Sequence, residues 1–234
     1  MPVWKGRGDV AECGNYRPIR LLCHAVEILE RVLDGRFRQI VAITPHRCGF
    51  VIGCGTTDAI HAARLLPERH QEKKPVRTAF LDLEEAFDRV PPELVWQAIR
   101  SRNVPEAYIR WVQPLHCNVT GVVRYPVGTS PPFDVEVCVH QGSALSPLPF
   151  VLRMNTMTAD IDTPHPWSLL YADDVFPADE GRQQLPDRTQ QWKTRIDEYE
   201  MRLDVEETEY LECGPQSDGS IGIDGKNLKV SQLK

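Results

Sequence analysis

The sequence predicts an α+β fold in which a mainly antiparallel sheet carries helices on one face. Three observations support this prediction: the length, the alternation of helix-like and strand-like segments, and two acidic points that interrupt apolar strands. At 234 residues the chain is long enough for a substantial core, and its 41% hydrophobic and 26% charged residues are typical of globular proteins.

Local patterns predict the elements in chain order. Apolar residues at helical spacing predict a first helix over 25–41, whose apolar pattern comprises Val26, Leu29, Leu33, Phe37 and Ile40. A second helix is capped by residues 56–58 and runs to Leu66, residues 76–83 form a strand, and prolines open a third helix over 91–100. The later predictions are a helix over 105–112, paired strands over 119–125 and 134–139, a helix over 143–161, a hairpin around 171–174, a helix over 182–203, a strand over 210–213 and a hairpin turning at 224–225.

Charge is distributed unevenly along the chain. The first 75 residues carry 12 basic against 8 acidic side chains, whereas residues 161–234 carry 8 against 16, and the net charge is −6. A nucleic acid would therefore be met mainly by the first third, because phosphates bind Lys and Arg. The acidic total disfavours a protein that binds nucleic acid through charge alone.

The sequence also leads to an expectation about where in the cell the protein resides. The sequence has no apolar run of about 18 residues and no signal peptide, which predicts an intracellular protein, in the cytoplasm or nucleus, without a membrane partner. The seven cysteines contain no CxxC pair, so we expect reduced, mostly buried thiols and no zinc site.

The stretch WSLLYADDVF, residues 167–176, places Asp173 and Asp174 between two apolar runs, as the turn of a hairpin. Two adjacent carboxylates near a core raise each other's proton affinity unless a cation lies beside them. The alternative is ordinary turn chemistry, because Asp bonds its own backbone in turns.

A second acidic point, Asp82, lies in the predicted strand among Phe80, Leu81 and Leu83. Its alternative reading is an Asp at a strand end that reaches solvent. If the two strands meet in one sheet, however, Asp82 converges with Asp173 and Asp174. Such a set suits Mg²⁺, and two such ions support an in-line phosphoryl displacement.

With these motifs in order, the chain resembles the reverse transcriptase domain of non-LTR, LINE-type retrotransposons, closest to the RTE or BovB-like branch. WKGRGDVAECGNYRPIRLL and CGFVIGCGTTDAIHAARLL resemble its fingers motifs. AFLDLEEAFDRVP, VHQGSALSPL and LLYADDVF resemble its palm motifs, and MRLDVEETEYLECGP resembles the motif that follows them. The resemblance implies a right-hand polymerase palm over 76–234 and a partial fingers subdomain over 1–75, and we expect the thumb to be missing.

The resemblance also implies an activity, RNA-directed DNA synthesis from a primer 3′-hydroxyl. Its partners would be an RNA template, a DNA primer and deoxynucleoside triphosphates, and its cofactor two Mg²⁺ ions, with Mn²⁺ as a substitute. By resemblance Asp82, Asp173 and Asp174 are catalytic, and the metal ligands are Asp82, Asp173 and the carbonyl of Leu83. Phe87 would exclude the ribose 2′-hydroxyl, and the nucleotide pocket would be lined by Gln141 and Gly142.

Departures from the family pattern support an alternative, a catalytically inactive and truncated relic that is inert or binds nucleic acid weakly. Ile52 stands where the family has a basic residue, and Glu207 stands where it has a lysine. Asp204 replaces the usual Asn and Glu200 the usual Gly. Prolines near predicted helices or the hairpin, at positions 67, 149, 177 and 186, predict a loss of stability. Another two-metal palm enzyme, such as a nucleotide cyclase, is disfavoured by the fingers motifs and Phe87.

Overall fold

The computed structural model describes the chain except for residues 45–46, 71–75, 85, 88–89, 117–118, 126, 136–138, 162–167, 180–183, 214–221, 224 and 232–234. The chain forms two compact units that alternate along the sequence. Unit 1 comprises Met1–Ala42 and Phe87–Arg153, and unit 2 comprises Ile43–Ala86 and Met154–Lys234.

The described residues contain six α-helices and fourteen strands. The helices are α1 (His24–Ile40), α2 (Thr56–His70), α3 (Pro92–Arg100), α4 (Glu106–His116), α5 (Pro147–Thr158) and α6 (Gln184–Glu198). The strands are β1 (Pro2–Trp4), β2 (Tyr16–Pro18), β3 (Arg47–Cys48), β4 (Val76–Leu83), β5 (Val119–Gly121), β6 (Arg124–Tyr125), β7 (Gly128–Thr129), β8 (Phe133–Val135), β9 (Ser168–Tyr171), β10 (Asp174–Asp179), β11 (Leu203–Cys213), β12 (Gly222–Ile223), β13 (Lys226–Asn227) and β14 (Lys229–Ser231). All six predicted helices are confirmed. None of the helices in this described part is long and apolar enough to cross a membrane.

Unit 2 is built on a six-stranded sheet in the order β14-β11-β4-β10-β9-β3. The three inner pairings are antiparallel, and the two edge strands β3 and β14 pair in parallel with their neighbours. Helix α6 packs against β4, β10 and β11, and its Trp192 and Ile196 are fully buried. The predicted α+β fold with a mainly antiparallel sheet is therefore confirmed.

The side chains of β4 show that one face of this sheet is covered and the other is more open. Ala79, Leu81 and Leu83 are at most 4% exposed, whereas Phe80 is 41% exposed and Asp82 is half-buried. Successive side chains of a strand point to opposite faces, so Phe80 and Asp82 share the open face. The Phe80 ring lies 4.2 Å from that of Phe176, which is opposite it on β10.

Unit 1 is mainly helical, and its helix α1 turns a different face to the core than the apolar pattern predicts. Leu33 and Phe37 are buried as predicted, and Phe37 meets the edge of the Tyr108 ring at 6.1 Å. The prediction for Leu29 and Ile40 is wrong, since these side chains are 44% and 39% exposed. The buried stripe instead continues through Glu30.

The rest of unit 1 holds the short strands. β1 pairs with β2, and β5 pairs with β8 around the small hairpin of β6 and β7. The strand predicted over 119–125 is thus interrupted after Gly121. Trp96 of α3 is 5% exposed.

The prolines disturb the helices less than the sequence suggests. Pro149 and Pro186 are the third residues of α5 and α6, within the first turn, where the missing N–H has no intrahelical partner to lose. Pro67 and Pro114 lie inside α2 and α4. Pro177 lies in β10. The cost of a proline inside a helix therefore does not apply to these two prolines in first turns.

The end of α6 also differs from its prediction. The helix stops at Glu198 because a Schellman motif closes it: Met201 N donates to Ile196 O and Glu200 N to Asp197 O, both at 3.1 Å. Glu200 has a φ of 62°, the left-handed conformation that favours glycine. Strand β11 can therefore begin at Leu203, seven residues before the predicted start.

The cysteines differ from the predicted reduced, buried thiols. Cys48 and Cys54 form a disulfide with a Cα–Cα distance of 5.0 Å, and Cys13 and Cys23 are exposed free thiols. The disulfide closes the loop that follows β3.

Candidate functional site

Asp173 and Asp174 lie at the turn between β9 and β10, as predicted. Tyr171 pairs with Asp174, so that Ala172 and Asp173 form a two-residue turn. Ala172 has a φ of 51°, a positive value at the first central residue, as the primed turns of two-residue hairpins require. The acidic pair therefore stands at the tip of a tight hairpin.

Strand β3 holds the backbone of this turn in place. Ala172 N donates to Cys48 O at 3.0 Å, and Ala172 O accepts from Nη1 of the buried Arg47 at 3.3 Å. The next residue, Gly49, has a φ of +75°, and a Cβ there would lie 2.7 Å from Ala172 N. Glycine is required at this position, because both the backbone conformation and the close approach exclude a side chain.

Asp82 lies opposite an acidic residue on each neighbouring strand. On one side Asp204 of β11 pairs directly with Asp82. On the other, Val175 pairs with Leu81, and the same antiparallel register places Asp174 opposite Asp82. Directly opposed residues of adjacent strands share a face. The three carboxylates thus form a row across β11, β4 and β10.

A β-bulge adds Glu207 to this row. Between the pairs Asp204–Asp82 and Glu209–Phe80, β11 advances five residues while β4 advances two. Asp204 Oδ1 stabilises the excursion by accepting from the backbone N of Glu206 at 3.0 Å and of Glu207 at 3.2 Å. In a regular strand, residues 204 and 207 would point to opposite faces. The bulge instead brings one carboxylate oxygen each of Asp82, Asp204 and Glu207 within 4.8 Å of one another.

This gathering of like charges changes the proton affinity of two carboxyls. Burial, followed by the charges of Glu207 and Asp173, raises the pKa of Asp82 to about 6. Burial, followed by the charges of Asp173 and Asp82, raises the pKa of Asp174 to about 7. A hydrogen bond between the two lowers the pKa of Asp82 and raises that of Asp174. Both carboxyls therefore hold a proton at higher pH than an ordinary aspartate does.

The structure places the predicted site residues in both units. Asp82, Asp173 and Asp174 come together in unit 2, where Leu83 pairs with Leu203 of β11. Their roles as metal ligands stay predictions. Sequence reasoning noted Asp204 and Glu207 only as departures and missed their place beside Asp82. The signal was the acidic run over 204–209, but only the pairing of β11 with β4 gives it meaning.

The other predicted residues belong to unit 1, and their roles also stay predictions. Phe87 is half-buried and its ring stacks on that of Phe150 at 4.3 Å. The carbonyl of Gln141 accepts a hydrogen bond from Arg20 N at 2.8 Å. Gly142 has a φ of +101°, and a Cβ there would lie 2.5 Å from Arg20 O. The 141–142 turn is therefore fixed to the segment that precedes α1.

Comparison with known proteins shows the family of the chain. Residues 5–221 match the family described as reverse transcriptase (RNA-dependent DNA polymerase). A probable RNA-directed DNA polymerase from transposon X-element of Drosophila melanogaster is 30% identical over 171 residues, which are 70% of this chain and 19% of that protein. The RNA-directed DNA polymerase from mobile element jockey of the same species is 27% identical over 217 residues, 82% of this chain and 23% of that protein. The chain thus spans about a fifth of the length of these relatives.

Solved structures support the same fold. A telomerase of Candida tropicalis, in complex with a fragment of telomeric RNA, superposes with a TM-score of 0.63 at 12% identity, over 86% of this chain and 35% of that one. A telomerase of Candida albicans in a similar complex gives 0.57 at 11% identity, over 86% and 36%. At this identity the likeness shows the fold alone, a palm with part of the fingers. Taken with the match over 5–221, it follows that the chain belongs to the reverse transcriptase family, in the group carried by LINE-type, non-LTR retrotransposons.

Proposed function

We propose that the chain carries the fingers (1–75) and palm (76–234) parts of an RNA-directed DNA polymerase. It would extend a DNA primer from its 3′-hydroxyl with deoxynucleoside triphosphates on an RNA template. One observation carries this proposal: Asp82 and Asp174 oppose each other on adjacent strands, with Asp173 at the turn beside them. The relatives named above, themselves described as RNA-directed DNA polymerases, support the reaction type.

The acidic cluster suits two Mg²⁺ ions, or Mn²⁺ in their place, because hard cations prefer carboxylate and carbonyl oxygens. The raised pKa values of Asp82 and Asp174 support this fit, since like charges so close together need a cation to stay ionised. Asp82, Asp173 and the carbonyl of Leu83 would hold the ions, with Asp174 as the acidic neighbour. When bound, such ions activate an attacking hydroxyl and stabilise the leaving oxygen of a phosphoryl displacement.

The protein's own residues would contribute to the reaction in two ways. Asp82 must be deprotonated before it can hold an ion, because a metal ligand binds as the deprotonated carboxylate. In unit 1, Phe87 would exclude the ribose 2′-hydroxyl and the nucleotide pocket would include Gln141 and Gly142. The fixed backbone of the 141–142 turn supports this second role, because positioning contributes most of phosphoryl-transfer catalysis.

A second candidate, an inactive descendant of such an enzyme, is favoured by the extra acids. Asp204 and Glu207 add negative charge beside Asp82, where an anionic triphosphate would have to approach. Ile52 is 80% exposed at the position where the family resemblance expects a basic side chain. Both features weaken the binding of an anionic substrate.

The deciding experiment is primer extension on an RNA template with the purified chain, with and without Mg²⁺. Its control is the double variant Asp173→Ala/Asp174→Ala, assayed at the same concentration after both proteins are shown to unfold cooperatively. Mg²⁺-dependent extension by the native chain alone would establish the polymerase. If both proteins were folded and neither extended the primer, the chain would be an inactive descendant of a polymerase.

A further inference from the structure

Unit 1 contains a buried carboxylate that the proposed chemistry does not use. Glu30 is 2% exposed and continues the core-facing stripe of Leu33 and Phe37 on α1. A carboxylate in such a position is costly unless hydrogen bonds compensate for its lost water. Its partners therefore indicate why an acid stands where the helical pattern calls for an apolar residue.

Two hydrogen-bond partners of Glu30 lie in the segment before α5. Glu30 Oε2 accepts from Ser143 Oγ at 2.9 Å and from Ala144 N at 2.8 Å. The Ser143 hydroxyl, while donating to Glu30, accepts from the backbone N of Leu145 at 3.3 Å and of Ser146 at 3.1 Å. One carboxylate oxygen thus fixes the turn that leads into α5.

The other end of this turn is fixed by the segment that precedes α1. Arg20 N donates to Gln141 O at 2.8 Å, and Gly142 passes so close to Arg20 O that no side chain fits. The Arg20 guanidinium lies 2.8 Å from Nδ1 of the buried His140. Burial lowers the pKa of Arg20, and the charge of Glu30 opposes this shift. Glu30 and Arg20 therefore bracket residues 140–144 and attract each other.

We propose that Glu30 is a positioning residue that holds the 141–144 turn, and with it Gln141 and Gly142, in the geometry that receives the incoming nucleotide. The nucleotide role rests on the proposed function, whereas the positioning rests on the contacts above. An apolar residue at position 30 would leave the Ser143 hydroxyl and the Ala144 N–H without their acceptor. The turn would then exchange among several conformations while the core of unit 1 stayed packed.

The test compares Glu30→Leu, Glu30→Gln and Ser143→Ala in the full chain. Glu27→Leu is the matched control, because Glu27 lies one turn earlier on α1 and forms surface contacts, an ion pair with Arg31 at 2.8 Å and a contact with His24 at 4.0 Å. Amide hydrogen exchange reports local opening, and primer extension gives KM for the nucleotide and kcat separately. Glu30→Leu should speed exchange of residues 142–146 about tenfold or more, as the loss of a charged hydrogen bond implies. It should raise KM by a similar factor, with a smaller change in kcat.

The conservative variants separate positioning from simple stability. Glu30→Gln keeps an acceptor and should retain most of the local protection and a near-native KM, whereas Ser143→Ala should lose part of both. Glu27→Leu should change neither. Unchanged exchange over 142–146 in Glu30→Leu, or exchange that rises equally throughout unit 1, would overturn the positioning role. A local rise with an unchanged KM would overturn the link to the nucleotide. A local rise in a chain whose native form extends no primer would support positioning and refute the proposed function.

Discussion

The two units surround their carboxylates in opposite ways. In unit 1 Glu30 is surrounded by donors, because a hydroxyl and a backbone N–H meet one of its oxygens. In unit 2 Asp82 and Asp174 lie among other acids, and desolvation followed by these like charges raises the pKa of both. The carboxylate of the first site meets donors within the protein, whereas the second site gathers like charges that the proposed cations would offset. Removing one negative charge should therefore have opposite consequences at the two places.

The largest expected effect is on activity at the acidic cluster. Asp82→Asn should lower the rate of primer extension about 10³-fold or more, because the ions it would hold supply several kcal/mol of charge stabilisation. The measurement is single-nucleotide extension at saturating Mg²⁺. Asp134→Asn, an exposed acid on β8, is the control and should extend as the native chain does. Equal rates for the two variants would show that Asp82 does not take part in catalysis.

The next effect is on stability and its pH dependence without metal. The pKa values of Asp82 and Asp174, about 6 and about 7 when folded, lie above the ordinary 3.8, so the folded chain binds more protons between about pH 4 and 7. The free energy of unfolding should therefore fall as the pH rises through this window. Asp174→Asn should flatten that fall and stabilise the chain at pH 8 by about 2 kcal/mol, after allowance for solvent screening.

Urea denaturation in EDTA, at several pH values, measures this effect. Added Mg²⁺ should stabilise the native chain more than Asp174→Asn and more at pH 8 than at pH 5, because its ligands must be deprotonated. A native chain that becomes more stable between pH 4 and 7 in EDTA would contradict the raised pKa values of Asp82 and Asp174.

Replacing a carboxyl by an amide should have the opposite effect on stability at Glu30, whose carboxylate accepts two hydrogen bonds. Glu30→Gln should lower the free energy of unfolding by about 1 kcal/mol, because a neutral amide oxygen is a weaker acceptor than a carboxylate. Urea denaturation at pH 8 gives the comparison with Asp174→Asn directly. If both amides shifted stability in the same direction, the contrast between the two units would be lost.

The smallest effect separates the acids that contact Asp82 from their neighbours. Glu207→Gln should stabilise the metal-free chain at pH 8 by about 0.5 kcal/mol, because it removes the charge that raises the pKa of Asp82 most among its acidic neighbours. Glu206→Gln, one residue away and exposed, should change nothing measurable. A loss of stability in Glu207→Gln would mean that this carboxylate is already compensated.

The sequence predicted the elements better than the contacts between them. The strand over 76–83 and the six helices follow from local patterns, and Asp82, Asp173 and Asp174 were recognisable because acids are unusual among apolar strand residues. The start of β11 was missed because Leu203 continues the apolar spacing of α6, whereas the left-handed backbone at Glu200 ends that helix. Local spacing carries no information about such a turn when glycine is absent.

The residues that the sequence analysis did not place share one cause: their contacts depend on segments far away in the chain. Asp204 and Glu207 come beside Asp82 through a bulge in β11, and a bulge follows from the register with β4 rather than from the residues themselves. Glu30 was missed because Leu29 next to it satisfies the same helical spacing, and only the donors of a segment more than 110 residues away favour the acid.

The link between α6 and β11 also sets which acids meet at all. The Schellman motif at Glu200 delivers the chain to Leu203 in a definite phase, with Leu203 paired to Leu83 and Asp204 to Asp82. Side chains of a strand alternate between faces, so a chain one residue shorter between Ile196 and Leu203 would put Asp204 opposite Leu83, in the apolar layer, and Val205 opposite Asp82, in the acidic row. The number of residues in this connection therefore determines which side chains face the site. An insertion or deletion there does more damage than a substitution.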